Sequence, residues 1–291
     1  MFQDVGLVLE GGGMRGAYTA GVLDAFHDHG INFPFVTGVS AGACNATSYV
    51  AGQRGRNYKV LVEYGSHPEY ISLKRAITRK ELFGMDFIFD VLPNQLVPFD
   101  FNSFFNSNIR FVAGTTDIDT GMPVYFDTFH SDKELLKIIR ASSSLPFVSP
   151  SISVQGRNLM DGGIADPIPI QPSIDAGNRK HVVILTRNQG YVKKPMKFAW
   201  LFRRSFKAHP ALLQAMQSRY EKYNSRVKML EEMERNNQVY IIRPEQPLEV
   251  GRIERDKSKL DALYRQGYQE VQQKKDEIIR FASTAGEPVL S

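Results

Sequence analysis

The sequence predicts an α/β protein: a mostly parallel sheet covered by helices on both faces, followed by a mainly helical C-terminal extension. Over the first half of the chain, short apolar or β-branched runs alternate with helical patterns, the mark of strand–helix–strand connectivity. Glycine-bearing turns at Asp119-Thr120-Gly121 and Gln155-Gly156 read as two hairpins set into that alternation. Past residue 190 the apolar residues fall three and four apart on a charged background, the spacing of long amphipathic helices.

Taken in order, the expected strands are Val5–Leu9, Phe35–Val39, Ile109–Thr115, His181–Thr186 and Val239–Arg243. Tyr18–His29 carries Val22, Leu23 and Phe26 on one helical face. Ala41–Ala51 is small and helix-compatible, and Lys133–Ser143 turns Leu135, Leu136, Ile138 and Ile139 inward. In the extension, Leu213, Met216, Tyr220, Tyr223, Val227 and Leu230 define one long helix. Leu260, Tyr264, Gly267, Val271, Ile278 and Phe281 define a second over Ser258–Phe281. The division expected is a first unit over 1–190 and an extension over 191–291, whose strand Val239–Arg243 can rejoin the sheet.

Composition narrows the function classes. A chain of 291 residues with 42% hydrophobic content can bury a full core, which argues against disorder. It has no apolar run of about 18 residues, so no membrane span is expected. Met1-Phe2-Gln3-Asp4 lacks the charged and apolar regions of a secretory signal, and the single cysteine, Cys44, fits a reducing compartment. Cys44 itself reads as a small buried residue rather than a nucleophile. The net charge of +5 permits an anionic partner, lipid or nucleic acid, without requiring one.

Chemistry enters at Thr37-Gly38-Val39-Ser40-Ala41-Gly42. This is a G-x-S-x-G at the junction of an expected strand and an expected helix, the setting a nucleophile elbow needs. There the turn forces Ser40 into a sparsely populated conformation, Gly38 and Gly42 leave room for close approach, and the helix N-terminus favours developing negative charge. The competing reading of Ser40 is a simple helix N-cap.

Upstream, Gly11, Gly13 and Gly16 spell G-x-G-x-x-G, which also suits a dinucleotide phosphate loop. That use wants an acidic residue at the end of the second strand, where Gly38 and Ser40 stand instead; Asp24 and Asp28 fall inside the first helix. An oxyanion hole made by the amides of Gly12 and Gly13 is the better client, with a nucleotide loop and a plain turn left as alternatives. Arg15 can add charge, bind a phosphate headgroup or form a structural pair. The base candidate is Asp161 in Asp161-Gly162-Gly163, directly after the second hairpin, although Asp-Gly-Gly alone is also an ordinary turn.

Together these pieces resemble the patatin-like phospholipase family. Glu10-Gly11-Gly12-Gly13-Met14-Arg15-Gly16 looks like its glycine-rich oxyanion loop, Gly38-Val39-Ser40-Ala41-Gly42 like its elbow, and Asp161-Gly162-Gly163 like its D-G-G/A motif. Ala113-Gly114-Thr115-Thr116-Asp117 with Thr120-Gly121, and Ala141-Ser142-Ser143-Ser144-Leu145-Pro146 leading to Pro150, agree with it. The resemblance covers about residues 5–190. It implies a three-layer α/β/α fold and hydrolysis of lipid acyl esters by a Ser40–Asp161 dyad without histidine, metal or cofactor. The extension looks like the C-terminal part of a bacterial subgroup, and for it the resemblance supplies no catalytic residue.

The expected function is therefore a serine hydrolase of lipid acyl esters, cytoplasmic or peripheral to the inner face of a membrane. An acyltransferase with the same dyad, or a non-catalytic lipid- or nucleotide-binding module, are the rivals. Phe83, Met85, Phe87, Ile88, Phe89, Leu92, Leu96, Val97, Phe99, Phe101, Phe104 and Phe105 crowd one segment broken by Pro93 and Pro98; it reads as core, or as an acyl channel or lid. Lys193–Lys207 interleaves cations with aromatics, which suits either an anionic membrane surface or a linker packing its rings inward. No nucleic acid partner is expected. His27 and His29 read as surface residues rather than metal ligands. His181 and His209, the histidines after Asp161, are poorly placed to serve Ser40, His181 because it opens its strand at the end away from the site.

Overall fold

The computed structural model describes residues 2–79, 81–196 and 199–284. Its strands are β1 (Val5–Leu9), β2 (Phe35–Val39), β3 (Arg110–Asp117), β4 (Pro123–Phe126), β5 (Ile152–Val154), β6 (Arg157–Asp161), β7 (Lys180–Ile184) and β8 (Val239–Ile242). They form one sheet in the order β5-β6-β3-β2-β1-β7-β8, with β4 also paired to β3. The run from β3 through β2, β1 and β7 to β8 is parallel. Both hairpins fall where the turns place them: β4 returns antiparallel along β3, and β5 and β6 flank Gln155-Gly156. Expected strand ends are off by one or two residues. β7 stops at Ile184 because the Thr186 amide donates to the Glu10 carboxylate (2.5 Å) rather than to a neighbouring strand.

The helices that matter here are α1 (Gly16–Asp28), α2 (Ala41–Val50), α3 (Asp132–Ser142), α4 (Pro210–Arg235) and α5 (Lys257–Ser283). Side chains along a strand point alternately to opposite faces, and β1 divides accordingly. Leu7 and Leu9 enter the core shared with α1, α2, α3 and α5, whereas Val8 packs with Val183, Leu185, Tyr223 and Leu230 under α4. Helices thus cover both faces, giving three layers, and β1, β2 and β7 are buried throughout.

β8 and α5, both beyond residue 190, belong to this same body. α5 crosses α1 at backbone contact: a Cβ on Gly21 would stand 1.9 Å from the Tyr264 carbonyl, and one on Gly267 2.3 Å from the Tyr18 carbonyl. Around the crossing, the hydroxyls of Tyr18, Tyr264 and Tyr268 donate to Glu270, Asp24 and Asp28 at 2.5, 2.7 and 2.8 Å. Three charge-assisted bonds of this kind fix the relative position of two otherwise amphipathic helices.

Candidate active site

Ser40 lies between the end of β2 and the start of α2 with φ 55° and ψ −129°. An L-residue held there costs on the order of 1–3 kcal/mol and persists only where its surroundings over-determine it. Here the Ser40 amide donates to Ser142 Oγ (2.9 Å), whose hydroxyl donates to the Gly114 carbonyl (2.6 Å). Behind the turn, Gly42 packs so tightly on β1 that a Cβ would sit 2.5 Å from the Leu9 carbonyl oxygen and 2.8 Å from that of Glu10. The strain is held in place from both sides. The first amides of α2 have no intrahelical acceptor, so this end of the helix presents positive charge beside Ser40.

The glycine loop runs past the same point. A Cβ on Gly11 would come within 3.0 Å of the Ser40 Cβ, which places the loop against the serine. The loop is tied down at its flanks: Glu10 N–H donates to the Ile184 carbonyl (3.1 Å), and Arg15 Nε donates to the Thr186 carbonyl (3.1 Å). Met14 N–H is engaged by the Arg252 carbonyl (3.1 Å), so this loop amide is occupied. Among the described residues the amides of Gly11, Gly12 and Gly13 donate to no protein acceptor. Gly16 opens α1, and its carbonyl accepts from Asn45 Nδ2 (2.9 Å) on α2, locking loop to elbow.

Asp161 ends β6 opposite Thr115 of β3. Its backbone is clamped by Ser144, whose carbonyl accepts the Asp161 amide (2.8 Å), and by Thr116, whose hydroxyl donates to the Asp161 carbonyl (2.8 Å). Oδ1 accepts from the Gly163 amide (2.8 Å). The side chain is 2% exposed, and burial raises its pKa above the usual carboxylate range, partly opposed by Arg219 and by the Ser40 hydroxyl. Ser40 is thus near enough to act on the carboxyl, yet Oδ2 makes no hydrogen bond of ordinary geometry. Hydrogen bonds between a nucleophile and its base commonly tighten only with substrate.

From Ser40 an apolar cavity of about 110 Å³ opens between α2, α3 and the phenylalanine-rich segment, lined there by Phe83, Met85, Ile88, Phe89, Pro93 and Phe99. The segment divides its labour. Phe87, Leu92, Val97 and Phe104 are buried in the core, while Leu96 and Phe105 reach solvent. Residues Phe87–Leu96 wind as a π-helix around Pro93, and Ile88, Phe89 and Pro93 of this segment face the cavity. Cys44, expected to be buried, instead lines this cavity beside Ser40. Burial pushes its thiol pKa up to about 11, so it is not a thiolate near neutral pH.

Three contributors have no local signature in the sequence. Ser142 holds the Ser40 amide across 102 residues. Arg219 of α4 donates through Nε to the Gly163 carbonyl and faces Asp161. Arg252 caps the loop through its carbonyl. The histidines lie elsewhere: His181 is 2% exposed, its pKa lowered to about 4 by burial, with Nδ1 2.9 Å from Ser173 Oγ, and His209 stands 3.4 Å from Asp119. His27 is half-buried against Tyr49. No three His, Cys, Asp or Glu side chains gather as a metal-ligand set among the described residues. In the basic-aromatic stretch, Phe202 and Phe206 pack inward on Phe147, and Arg203, Arg204 and Lys207 face solvent; Lys197 and Phe198 lie outside the described residues.

The family model for patatin-like phospholipase matches residues 7–174, and that of a domain of unknown function, DUF6363, matches residues 209–283. The chain is 34% identical to uncharacterized protein YjjU of Escherichia coli strain K12 over 187 residues, 62% of this chain and 52% of that protein. It is 29% identical to lysophospholipase NTE1 of Lodderomyces elongisporus over 285 residues, 91% of this chain and 19% of that one. The chain thus spans about half the length of the first relative and a fifth of the second. The crystal structure of VipD from Legionella pneumophila aligns with a TM-score of 0.47 at 14% identity, over 94% of this chain and 66% of that one.

Proposed function

The chain belongs to the patatin-like phospholipase family, and on that premise we propose that it is a serine hydrolase of lipid acyl esters, with Ser40 as nucleophile and Asp161 as base. The observation that carries this is the strained Ser40 at a helix N-terminus, beside a buried carboxyl of raised pKa, with an apolar cavity leading away from it. An ordinary aspartate, pKa about 3.9, is a weak base for a serine hydroxyl; burial brings it toward the working pH. Ser40 Oγ attacks the acyl carbon while Asp161 takes the proton. The amides of Gly11, Gly12 and Gly13 are placed to receive the oxyanion, each such donor being worth roughly 2.7–4 kcal/mol in the transition state. Asp161 returns the proton to the leaving alcohol, and water activated by the same carboxylate releases the fatty acid.

The apolar cavity suits one acyl chain, which agrees with the lysophospholipase name of the yeast relatives. Arg203, Arg204 and Lys207 supply an electrostatic contact to an anionic membrane surface, with Phe202 and Phe206 held inward. No helix among the described residues is long and apolar enough to cross a membrane. The test is hydrolysis of p-nitrophenyl esters of graded chain length, then of lysophospholipids, by the native chain and by Ser40→Ala. Rates indistinguishable between the two across the whole panel would remove the proposed function.

A further inference from the structure

A second cavity, of about 600 Å³, adjoins the acyl cavity along the glycine loop. Consecutive loop residues divide the two: Gly13 and Met14 line the first, Arg15 lines the second, and Leu145 borders both. Six cations line the second cavity, namely Arg15, Arg187, Lys193, Lys194, Arg219 and Arg252, against one carboxylate, Glu10. Glu10 is already committed to the Thr186 amide. Among the described residues none of the six takes part in a salt bridge, whereas Arg226 and Arg243, on the same helix and on the chain just past β8, are paired with Asp166 and Glu231.

Two carboxylates reach the cluster, Glu10 beside Arg15 and Asp161 beside Arg219, and Arg187 and Lys193 rest over the Tyr191 and Tyr223 rings; six cations against these still leave a concavity of net positive charge that attracts an anion. Two details point the same way. Arg15 is 2% exposed, and its Nη1 has no hydrogen-bond partner, a deficit that an anionic oxygen would relieve. Burial and the neighbouring Arg219 and Arg252 push the Lys193 ammonium down to about 7, the behaviour of a cation crowded by others. Four of the six cations, Lys193, Lys194, Arg219 and Arg252, come from residues 191–291.

We infer that this cavity is a headgroup subsite, built largely by the C-terminal part, that selects glycerolipids whose phosphate headgroup carries net negative charge. The inference rests on the hydrolase function proposed above. A glycerolipid cleaved at Ser40 has its acyl chain on one side of the scissile ester and its phosphate on the other; Ser40 lines the acyl cavity, and the second cavity begins at the next residues of the glycine loop and at Leu145. A choline headgroup brings its own cation into a cluster of six and is disfavoured; a phosphomonoester, or a phosphodiester of an uncharged polyol, is not.

The test compares kcat/KM for lysophosphatidic acid and lysophosphatidylcholine of one acyl chain, with a neutral p-nitrophenyl ester as reference, in the native chain and in Arg187→Gln/Lys193→Gln. The native chain should favour the anionic lipid by about tenfold or more. The double variant should lose most of that ratio, and the charge-preserving pair Arg187→Lys/Lys193→Arg should restore it. Arg187 and Lys193 rest over the Tyr191 and Tyr223 rings at 4.5 and 5.0 Å, contacts that the charge-preserving pair can keep, and the thermal midpoint of each variant is measured beside its rates. An unchanged ratio in the folded double variant overturns the subsite, as does a native chain that hydrolyses the neutral ester yet shows no lipid preference; both leave the serine hydrolase intact. Failure on all three substrates, with no Ser40-dependent rate, instead overturns the hydrolase. Inorganic phosphate separates the remaining source: competition with the anionic lipid supports the subsite, whereas altered turnover of the neutral ester without such competition assigns the cavity to a free anion and overturns it.

Discussion

Replacing Gly42 by alanine tests the geometry on which the elbow depends. The added Cβ would stand 2.5 Å from the Leu9 oxygen and 2.8 Å from the Glu10 oxygen, and separations under 3.0 Å essentially do not occur, so the first turn of α2 must move by about half an ångström or more. Both obstructing atoms are backbone, in β1 and at the root of the glycine loop, so the movement separates Ser40 from the loop amides. Overpacking of this kind costs about 1–3 kcal/mol of stability. A displacement of 1 Å at a reacting centre costs roughly 10²-fold, so half of that should lower kcat by about 10- to 100-fold with a smaller change in KM. Steady-state hydrolysis of p-nitrophenyl butyrate and thermal unfolding measure the two effects. Gly52→Ala is the control: it lies in open space at φ +67°, so alanine there should lose about 1–2 kcal/mol of stability to backbone strain while kcat stays within about twofold. Native kcat and native stability in Gly42→Ala would refute the close contact.

Further outcomes follow from the same geometry. Asp161→Asn keeps the shape of the side chain but cannot take the proton, and kcat/KM should fall by about 10⁴ or more; turnover within tenfold of native would remove Asp161 as base. The rate should rise with pH through the ionisation of Asp161, above the ordinary carboxylate range, and Arg219→Gln should move that limb to still higher pH by removing the cation that most opposes the shift. An unmoved limb would separate Arg219 from the carboxylate. Because the folded pKa of Asp161 is raised, its stability contribution is complete below the unfolded pKa and is lost as pH rises through the folded one. His181→Ala and His209→Ala should retain kcat/KM within about tenfold. His181 has the opposite linkage: its folded pKa of about 4 lies below the unfolded value of about 6.5, so stability falls by about 3 kcal/mol as pH drops between them. His181→Ala should flatten that slope in acid unfolding curves.

What the sequence made legible is local. The turn between β2 and α2, the glycine loop after β1 and both hairpins are written in residues that neighbour one another, because glycine, serine and aspartate carry their backbone consequences with them. β8 and the two long helices were also readable, from apolar spacing. Ser142, Arg219 and Arg252 were not, since each acts on the site only through the fold. Ser142 reads as the first of three consecutive serines at the end of α3, and Arg219 as a charge on the polar background of a helix. The exposure of Cys44 to a cavity escaped for the same reason: a small residue in an apolar helix looks buried until the cavity beside the π-helix at Phe87–Leu96 is known.

The identity of the nucleophile is tested most directly by trapping the covalent intermediate. p-Nitrophenyl acetate turnover is quenched in acid, and the acyl group is located by peptide mass spectrometry in the native chain, in Ser40→Ala and in Asp161→Asn. An acetyl group is expected on Ser40 in the native chain and in neither variant, with Cys44 unmodified because its thiol remains protonated near neutral pH. An acetyl group carried by Cys44, or undiminished turnover in Ser40→Ala, would contradict Ser40 as the nucleophile.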